Sequence, residues 1–89
     1  MIRTRVVVHG SVQGVGFRYS VMEMARTRRV AGWVKNNRDG TVEAVFEGEP
    51  GAVDSLLRFC QEGPRGAEVE HVDVTQEEPE GLSEFGLGW

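Results

Sequence analysis

The sequence is poor in the residues that mark disulfide-rich, zinc-binding and membrane-spanning proteins. Cys60 is the only cysteine among 89 residues, so neither an internal disulfide nor a zinc site of several thiolates is possible. No apolar run approaches the roughly 20 residues that a membrane-spanning helix needs. The first residues show no signal-peptide pattern. We therefore expect a cytoplasmic protein with no membrane partner.

Lysine is almost absent, and the charges are divided unevenly along the chain. Residues 1–38 hold eight basic residues and one acid, a net charge of +7, with Lys35 as the only lysine. Residues 39–89 hold two basic residues and thirteen acids, a net charge of −11. The basic first part favours an anion-binding site. The acidic second part argues against a nucleic-acid partner, because it would repel a phosphate backbone.

The length suits one domain, spanning residues 1–89. The spacing of apolar residues changes several times along the chain between that of a strand and that of a helix. It predicts the element order β-α-β-β-α-β with a short last strand. We expect strands over 3–9, 33–37, 41–47, 69–75 and within 84–89, and helices over 17–30 and from Pro50 to just before Gly63. This order is the α+β, ferredoxin-like split β-α-β arrangement, an antiparallel sheet with two helices on one face. Val69 and Val72 are out of phase, which predicts a bulge near Glu70 and His71 or a late strand start.

A glycine-rich loop runs directly from the first strand into the first helix. Its residues are Ser11, Val12, Gln13, Gly14, Val15 and Gly16. Successive N–H groups of such a loop can converge on an anion, and the helix N-terminus adds unpaired donors and about half a positive charge. Arg18, in the first helical turn, can reach back over the loop. The pattern predicts a phosphate-sized site, and it also occurs in turns that are purely structural.

Asn36 lies near the end of the predicted second strand, just before a hairpin centred on residues 38–40. An asparagine here can simply favour the turn. Alternatively, its amide can orient a water molecule or a substrate oxygen. The end of the second strand can lie near the loop after the first strand in this fold, so Asn36 and Arg18 can converge.

Two segments carry a resemblance to a known family. They are Val-Gln-Gly-Val-Gly-Phe-Arg at 12–18 and Gly-Trp-Val-Lys-Asn-Asn-Arg-Asp-Gly-Thr-Val at 32–42. Both resemble the two signature stretches of the acylphosphatase family, at that family's usual separation. Length, element order and the Gly-Glu-Pro lead into the second helix extend the resemblance over nearly the whole chain. Gly16 departs from the pattern, because many relatives carry a larger residue there.

The resemblance implies hydrolysis of acyl phosphates to a carboxylate and inorganic phosphate, without a metal or an organic cofactor. It implies that Arg18 binds the phosphate, that Asn36 orients the water, and that backbone N–H groups of residues 11–16 form the phosphate cradle. The expected partners are a small acyl phosphate and product-like phosphate or sulfate. We expect a monomer. Because neither motif contains a candidate base, we also expect a rate that varies little with pH near neutrality.

Other polar or aromatic residues have simpler interpretations. We expect His9 to pack and hydrogen-bond, although its place near the loop also allows a role as a base. His71 lies on an acidic, solvated strand. We expect Cys60 to be a small buried hydrophobe and Trp33 to pack in the core or on the sheet.

Three other functions fit parts of the sequence. The same element order builds an RNA-recognition fold, but the outer face of the third strand is acidic and lacks aromatic residues. A non-catalytic partner-binding domain explains the fold but not Arg18 and Asn36. An acylphosphatase-like domain of a maturation factor belongs to longer chains with zinc-binding cysteines.

Overall fold

The computed structural model describes residues 1–88 and places two helices on one face of a five-stranded sheet. The strands are β1 (Ile2–Ser11), β2 (Ala31–Asn36), β3 (Val42–Gly48), β4 (Glu68–Glu77) and β5 (Phe85–Leu87), and the helices are α1 (Phe17–Thr27) and α2 (Pro50–Glu62). The strand order is β4-β1-β3-β2-β5. The first four strands pair antiparallel, as predicted, whereas β5 runs parallel to β2 and makes the sheet mixed. The ferredoxin-like arrangement is confirmed.

The core lies between the helices and one face of the sheet. Alternate residues of the strands and one stripe of each helix supply its side chains: Val6, Val8, Val34, Val42, Ala44, Phe46, Phe17, Val21, Ala25, Val53, Leu56 and Cys60. Full burial of a valine, leucine or phenylalanine contributes about 1.5–3 kcal/mol, so this cluster dominates the stability of the fold. Cys60 is fully buried, and burial raises the pKa of its thiol to about 12. It is the small hydrophobe that the sequence predicts.

Helix α1 ends three residues earlier than the sequence predicts. Arg28 caps it and Arg29 adopts a left-handed conformation with φ 59°. The N–H of Val30 then donates to the carbonyl of Ala25 at 2.8 Å, which is the six-residue bond of a Schellman ending. Because glycine usually occupies the left-handed position, Arg29 gives no sequence signal for this helix end.

The irregular phase of the fourth strand comes from a bulge in β4. His9 of β1 pairs with His71, but the next residue, Gly10, pairs with Val69. Glu70 is therefore the extra residue, as the out-of-phase valines indicate. The last strand is only three residues long, with Phe85 buried, and Trp89 lies outside the described residues.

The helix-free face of the sheet carries a buried ion pair. Arg3 and Glu47 are 4% and 1% exposed, and the Arg3 Nη1 donates to the Glu47 carboxylate at 2.7 Å. The same carboxylate accepts backbone N–H groups of residues 80, 81 and 82 at 3.0–3.1 Å. Burial alone would raise the pKa of Glu47, but these donors outweigh it and hold the pKa below its usual value.

These bonds fix the segment 78–84 across the helix-free face. The segment leaves edge strand β4, meets Glu47 on central strand β3, and enters β5 at the opposite edge. Val45, beside Glu47, is fully buried, and the ring of Trp33 lies within 5.4 Å of the charged groups of Arg5 and Lys35. Trp33 therefore packs on the sheet, as predicted, and residues 1–88 form no open aromatic platform of the RNA-binding kind on this face. No helix within residues 1–88 is long and apolar enough to cross a membrane.

Glu77 makes the stability of this face sensitive to acid. Hydrogen bonds from Arg5 and then Arg3 lower its pKa to about 2. Because this value lies below the unfolded value of about 4.3, the pairing stabilises the fold above that pH and is lost as the pH falls towards 2. We expect Glu77→Gln to lower the free energy of unfolding most at pH 7 and progressively less from about pH 4.3 downwards. Urea denaturation across this pH range measures the difference.

Glu78→Gln is the matched control, because Glu78 is exposed and forms no ion pair within residues 1–88. Its effect should be small at every pH. A Glu77→Gln effect that does not change between pH 7 and 2 would contradict the ion-pair account.

Candidate active site

The register of the three central strands brings the predicted site residues to the same end of these strands. Val42 of β3 pairs with Val8 of β1 on one side and with Asn36 of β2 on the other. Directly paired residues point to the same face of a sheet, and neighbouring strands lie about 4.8 Å apart. Val8 and Val42 face the helices. Asn36 therefore also faces the helices, two strands from the start of the glycine-rich loop.

The loop between β1 and α1 depends on positive backbone angles. Gly14 and Gly16 have φ values of 77° and 76°, a region that costs other residues roughly 1–2 kcal/mol. These two positions turn the chain from the end of β1 into the first turn of α1. A Cβ at Gly16 would meet nothing within 4 Å, so a larger residue there faces a backbone penalty rather than a clash.

The first turn of α1 offers unpaired donors and no competing acid. The first helical hydrogen bond runs from the N–H of Ser20 to the carbonyl of Gly16, so the N–H groups of Phe17, Arg18 and Tyr19 have no partner inside the helix. Gly16 caps the helix without a side-chain hydrogen bond, and the first turn contains no acidic residue. Such a helix end attracts an anion.

A cavity of about 240 Å³ joins the loop, the helix N-terminus and strand β2. Its lining residues are Val12, Gly14, Gly16, Phe17, Arg18, Tyr19 and Asn36. This lining includes Arg18 and Asn36, and residues 1–88 contribute no acidic residue to it. Arg18 forms no ion pair and the Asn36 amide no hydrogen bond with any part of residues 1–88. Both polar groups are therefore available to a ligand.

The hairpin after β2 is held by its own side chains and by the loop. The hydroxyl and N–H of Thr41 donate to Asp39 at 2.7 and 3.0 Å, and they lower the pKa of that carboxyl. The side-chain N–H₂ group of Gln13 donates to the backbone carbonyls of Asn37 and Thr41 at 2.7 and 2.9 Å. The loop and the hairpin are thus joined directly.

The predicted loop residues do not all face the cavity. Val12, Gly14 and Gly16 line it. Ser11 instead ends β1, where it pairs with Glu68 of β4, and Val15 packs against the core. Tyr19, which the sequence motifs do not single out, is exposed and lines the cavity beside Arg18. Its position next to that arginine was the available signal.

The two histidines lie away from the cavity. The Nε2 atoms of His9 and His71 lie 2.9 and 2.6 Å from the two carboxylate oxygens of Asp73. Hydrogen bonds from His9 and then His71 hold the pKa of Asp73 below its usual value. His9 is therefore engaged in a side-chain contact, as predicted. No set of three or more residues suited to a metal ion is found in the part of the chain that the structure describes.

A larger cavity lies elsewhere and differs in chemistry. It measures about 710 Å³ and lies between the end of α1 and β5, beside Arg26 and Arg29. Its lining also includes the acidic residue Glu84, and the C-terminal end of α1 offers carbonyl groups instead of free N–H groups. The candidate site is therefore the smaller cavity, where free N–H groups of α1 lie beside Arg18 and Asn36.

Fold and cavity together define a small α+β protein with a candidate anion site at a strand–loop–helix turn. The acylphosphatase family model matches residues 4–86. An acylphosphatase from Synechococcus sp. (strain JA-2-3B'a(2-13)) is 52% identical over 86 residues, covering 97% of this chain and 92% of the relative. The crystal structure of acylphosphatase from Bacillus subtilis superimposes with a TM-score of 0.95 at 40% identity, covering 100% of each chain. This chain belongs to the acylphosphatase family.

The same domain architecture also occurs inside a much longer protein. The crystal structure of T. kodakarensis HypF matches with a TM-score of 0.84 at 27% identity. The match covers 100% of this chain but only 12% of that one. Similarity to the stand-alone acylphosphatases is therefore higher in identity and extends over the full length of both partners.

Proposed function

We propose that this protein is an acylphosphatase that hydrolyses the carboxyl–phosphate bond of acyl phosphates without a metal, in the cavity that holds Arg18 and Asn36. The observation that carries the proposal is the composition of that cavity. Unpaired N–H groups, Arg18 and Asn36 line a space to which residues 1–88 contribute no carboxylate. This set of groups suits a phosphoryl dianion and a water molecule.

The phosphoryl group binds between the loop and the first turn of α1. Backbone N–H groups of the loop and of Phe17, Arg18 and Tyr19 donate to its oxygens, and the Arg18 guanidinium pairs with its charge. Negative charge is spread over the equatorial oxygens in the transition state. Donors that are already in place stabilise that charge without reorganising.

Asn36 holds the attacking water in line with the leaving carboxylate. The water oxygen forms the new bond to phosphorus while the bond between phosphorus and the acyl oxygen breaks. The carboxylate leaves with the bonding electron pair, and the water proton passes to a phosphoryl oxygen. Since a carboxylate is a good leaving group, the reaction needs orientation more than a strong base.

The proposal also covers the domain organisation, the assembly state, the location and the ligands of the protein. Residues 1–89 act as one acylphosphatase domain, as a monomer in the cytoplasm. Inorganic phosphate is the product, and phosphate or sulfate occupies the same cradle as a ligand. The acidic second half of the chain and the closed helix-free face support the absence of a nucleic-acid partner.

The first experiment compares wild type, Arg18→Ala and Asn36→Ala on benzoyl phosphate without added metal. Removing one transition-state donor costs about 10²–10³ in kcat, which is the loss we expect for Arg18→Ala. Misplacing the water should cost about 10²-fold in Asn36→Ala. Phosphate release measures the rates, and circular dichroism checks the fold.

Arg28→Ala and Gln61→Ala are the controls, because both residues are exposed and lie outside the cavity. Their rates should equal that of the wild type. An inactive but folded wild type would favour a non-catalytic binding domain. An active enzyme that tolerates both site substitutions would refute this site.

A second prediction concerns pH. Among residues 1–88, no histidine or acidic residue lines the cavity. We therefore expect kcat to change by less than about twofold between pH 6 and 8, unlike the steep titration of a general base with a pKa in that range. Steady-state rates on benzoyl phosphate in buffers of constant ionic strength test this. A tenfold change in that interval would reveal a general base.

A further inference from the structure

We propose that Gln13 is a positioning residue, whose side-chain amide holds the phosphate loop at a fixed distance from Asn36. The inference rests on the proposed function, because it concerns the same cavity. It assigns a role to a side chain that does not line the cavity and that acts through backbone groups of the hairpin.

The side chain of Gln13 donates two hydrogen bonds to the hairpin between β2 and β3. Its Nε2 donates one N–H to the carbonyl of Asn37 at 2.7 Å and the other to the carbonyl of Thr41 at 2.9 Å. Both partners are backbone acceptors, so only the N–H₂ side of the amide can face them. The two carbonyls lie on the two arms of the hairpin between β2 and β3. One side chain thus closes the hairpin and ties it to the loop.

The hairpin end of this link is rigid. The N–H of Asn37 donates to the carbonyl of Thr41 at 2.9 Å, and the Asn37 side chain donates to Thr41 Oγ1 and Glu43 Oε1 at 3.0 and 3.1 Å. Glu43 is in turn paired with Arg5 on β1. Asn37 immediately follows Asn36 in the chain, so the carbonyl that Gln13 holds is one residue from the water-orienting amide.

The other end of the link lies in the loop between β1 and α1. Val12 and Val15, on either side of Gln13 and Gly14, are buried in or packed against the core, so the loop keeps its own shape. Within residues 1–88, no other side chain of the loop 11–16 forms a hydrogen bond to the hairpin. The amide of Gln13 is therefore the polar contact that sets the loop relative to β2.

The positions of the phosphate contacts and of Asn36 predict that loss of the Gln13 donors affects phosphate affinity and kcat differently. A general loss of stability would lower both. The phosphate contacts come from the loop and α1 alone, so phosphate affinity does not depend on where the hairpin lies. In-line attack needs phosphorus, water and Asn36 together, and a displacement of about 1 Å can cost 10²-fold in rate. Loss of the Gln13 donors should therefore lower kcat and leave inhibition by inorganic phosphate nearly unchanged.

The test uses Gln13→Met, which keeps the length of the side chain but removes both donors. We expect kcat on benzoyl phosphate to fall about 10- to 100-fold, while the inhibition constant of inorganic phosphate changes by less than about twofold. Gln13→Glu keeps the shape but turns a carboxylate towards two carbonyl oxygens, and it should lose at least as much. Gln61→Met, on the exposed face of α2, is the matched control and should retain the wild-type kcat.

A double-mutant cycle distinguishes positioning from simple destabilisation. If Gln13 acts by placing the loop against Asn36, then Gln13→Met should cost less than about twofold in an Asn36→Ala background. Independent effects would instead multiply. All rates are measured at saturating substrate and corrected for the folded fraction by circular dichroism. Gln13→Ala replaces Gln13→Met if the latter does not fold.

Each outcome decides a different question. A selective fall in kcat that disappears in the Asn36→Ala background supports the positioning role. Multiplicative losses, equal losses in phosphate affinity, or an unchanged kcat overturn it while leaving an active wild type and the proposed function intact. An inactive wild type overturns the proposed function and this inference together.

Discussion

The site depends on the register of three antiparallel strands. Val42 of β3 is flanked by Val8 and Asn36, so the end of β1 and the end of β2 meet on the helix-covered face. A shift of one residue would send the Asn36 amide to the opposite face, because side chains alternate along a strand. The buried valines prevent that shift, since it would expose the core. Hydrophobic packing thus sets the geometry of a polar site.

Buried charged residues stabilise the helix-free face of the same sheet. Arg3 and Glu47 are almost fully buried, and Glu47 also accepts three backbone N–H groups from the segment that leads to β5. A buried pair of this kind is costly to break because the remaining charge loses its partner. In a neighbouring pair, Arg5 contacts Glu43, and Glu43 also accepts a hydrogen bond from the side chain of Asn37 in the hairpin at the site. The two faces of the sheet are therefore joined at the hairpin.

The fold and the placement of Arg18 and Asn36 beside one cavity could be predicted because their signals are local. Alternation, helical spacing and the glycine loop are properties of neighbouring residues, and the paired motifs select Arg18 and Asn36. The left-handed Arg29 could not be predicted, since glycine normally takes that conformation. The parallel pairing of β5 and the bonds of Gln13 depend on contacts between distant parts of the chain. Such contacts leave no periodic pattern in the sequence.

The most direct test of the site is titration of inorganic phosphate into ¹⁵N-labelled protein, followed by NMR. We expect the largest shift changes on backbone amides of residues 14–19, which donate to the phosphate, and smaller ones on the side-chain amide of Asn36. Arg18→Ala should weaken them strongly, because it removes the charged partner of the phosphate. Largest changes beside Arg26, Arg29 and β5, around the larger cavity, would contradict the assignment of the anion site to the loop.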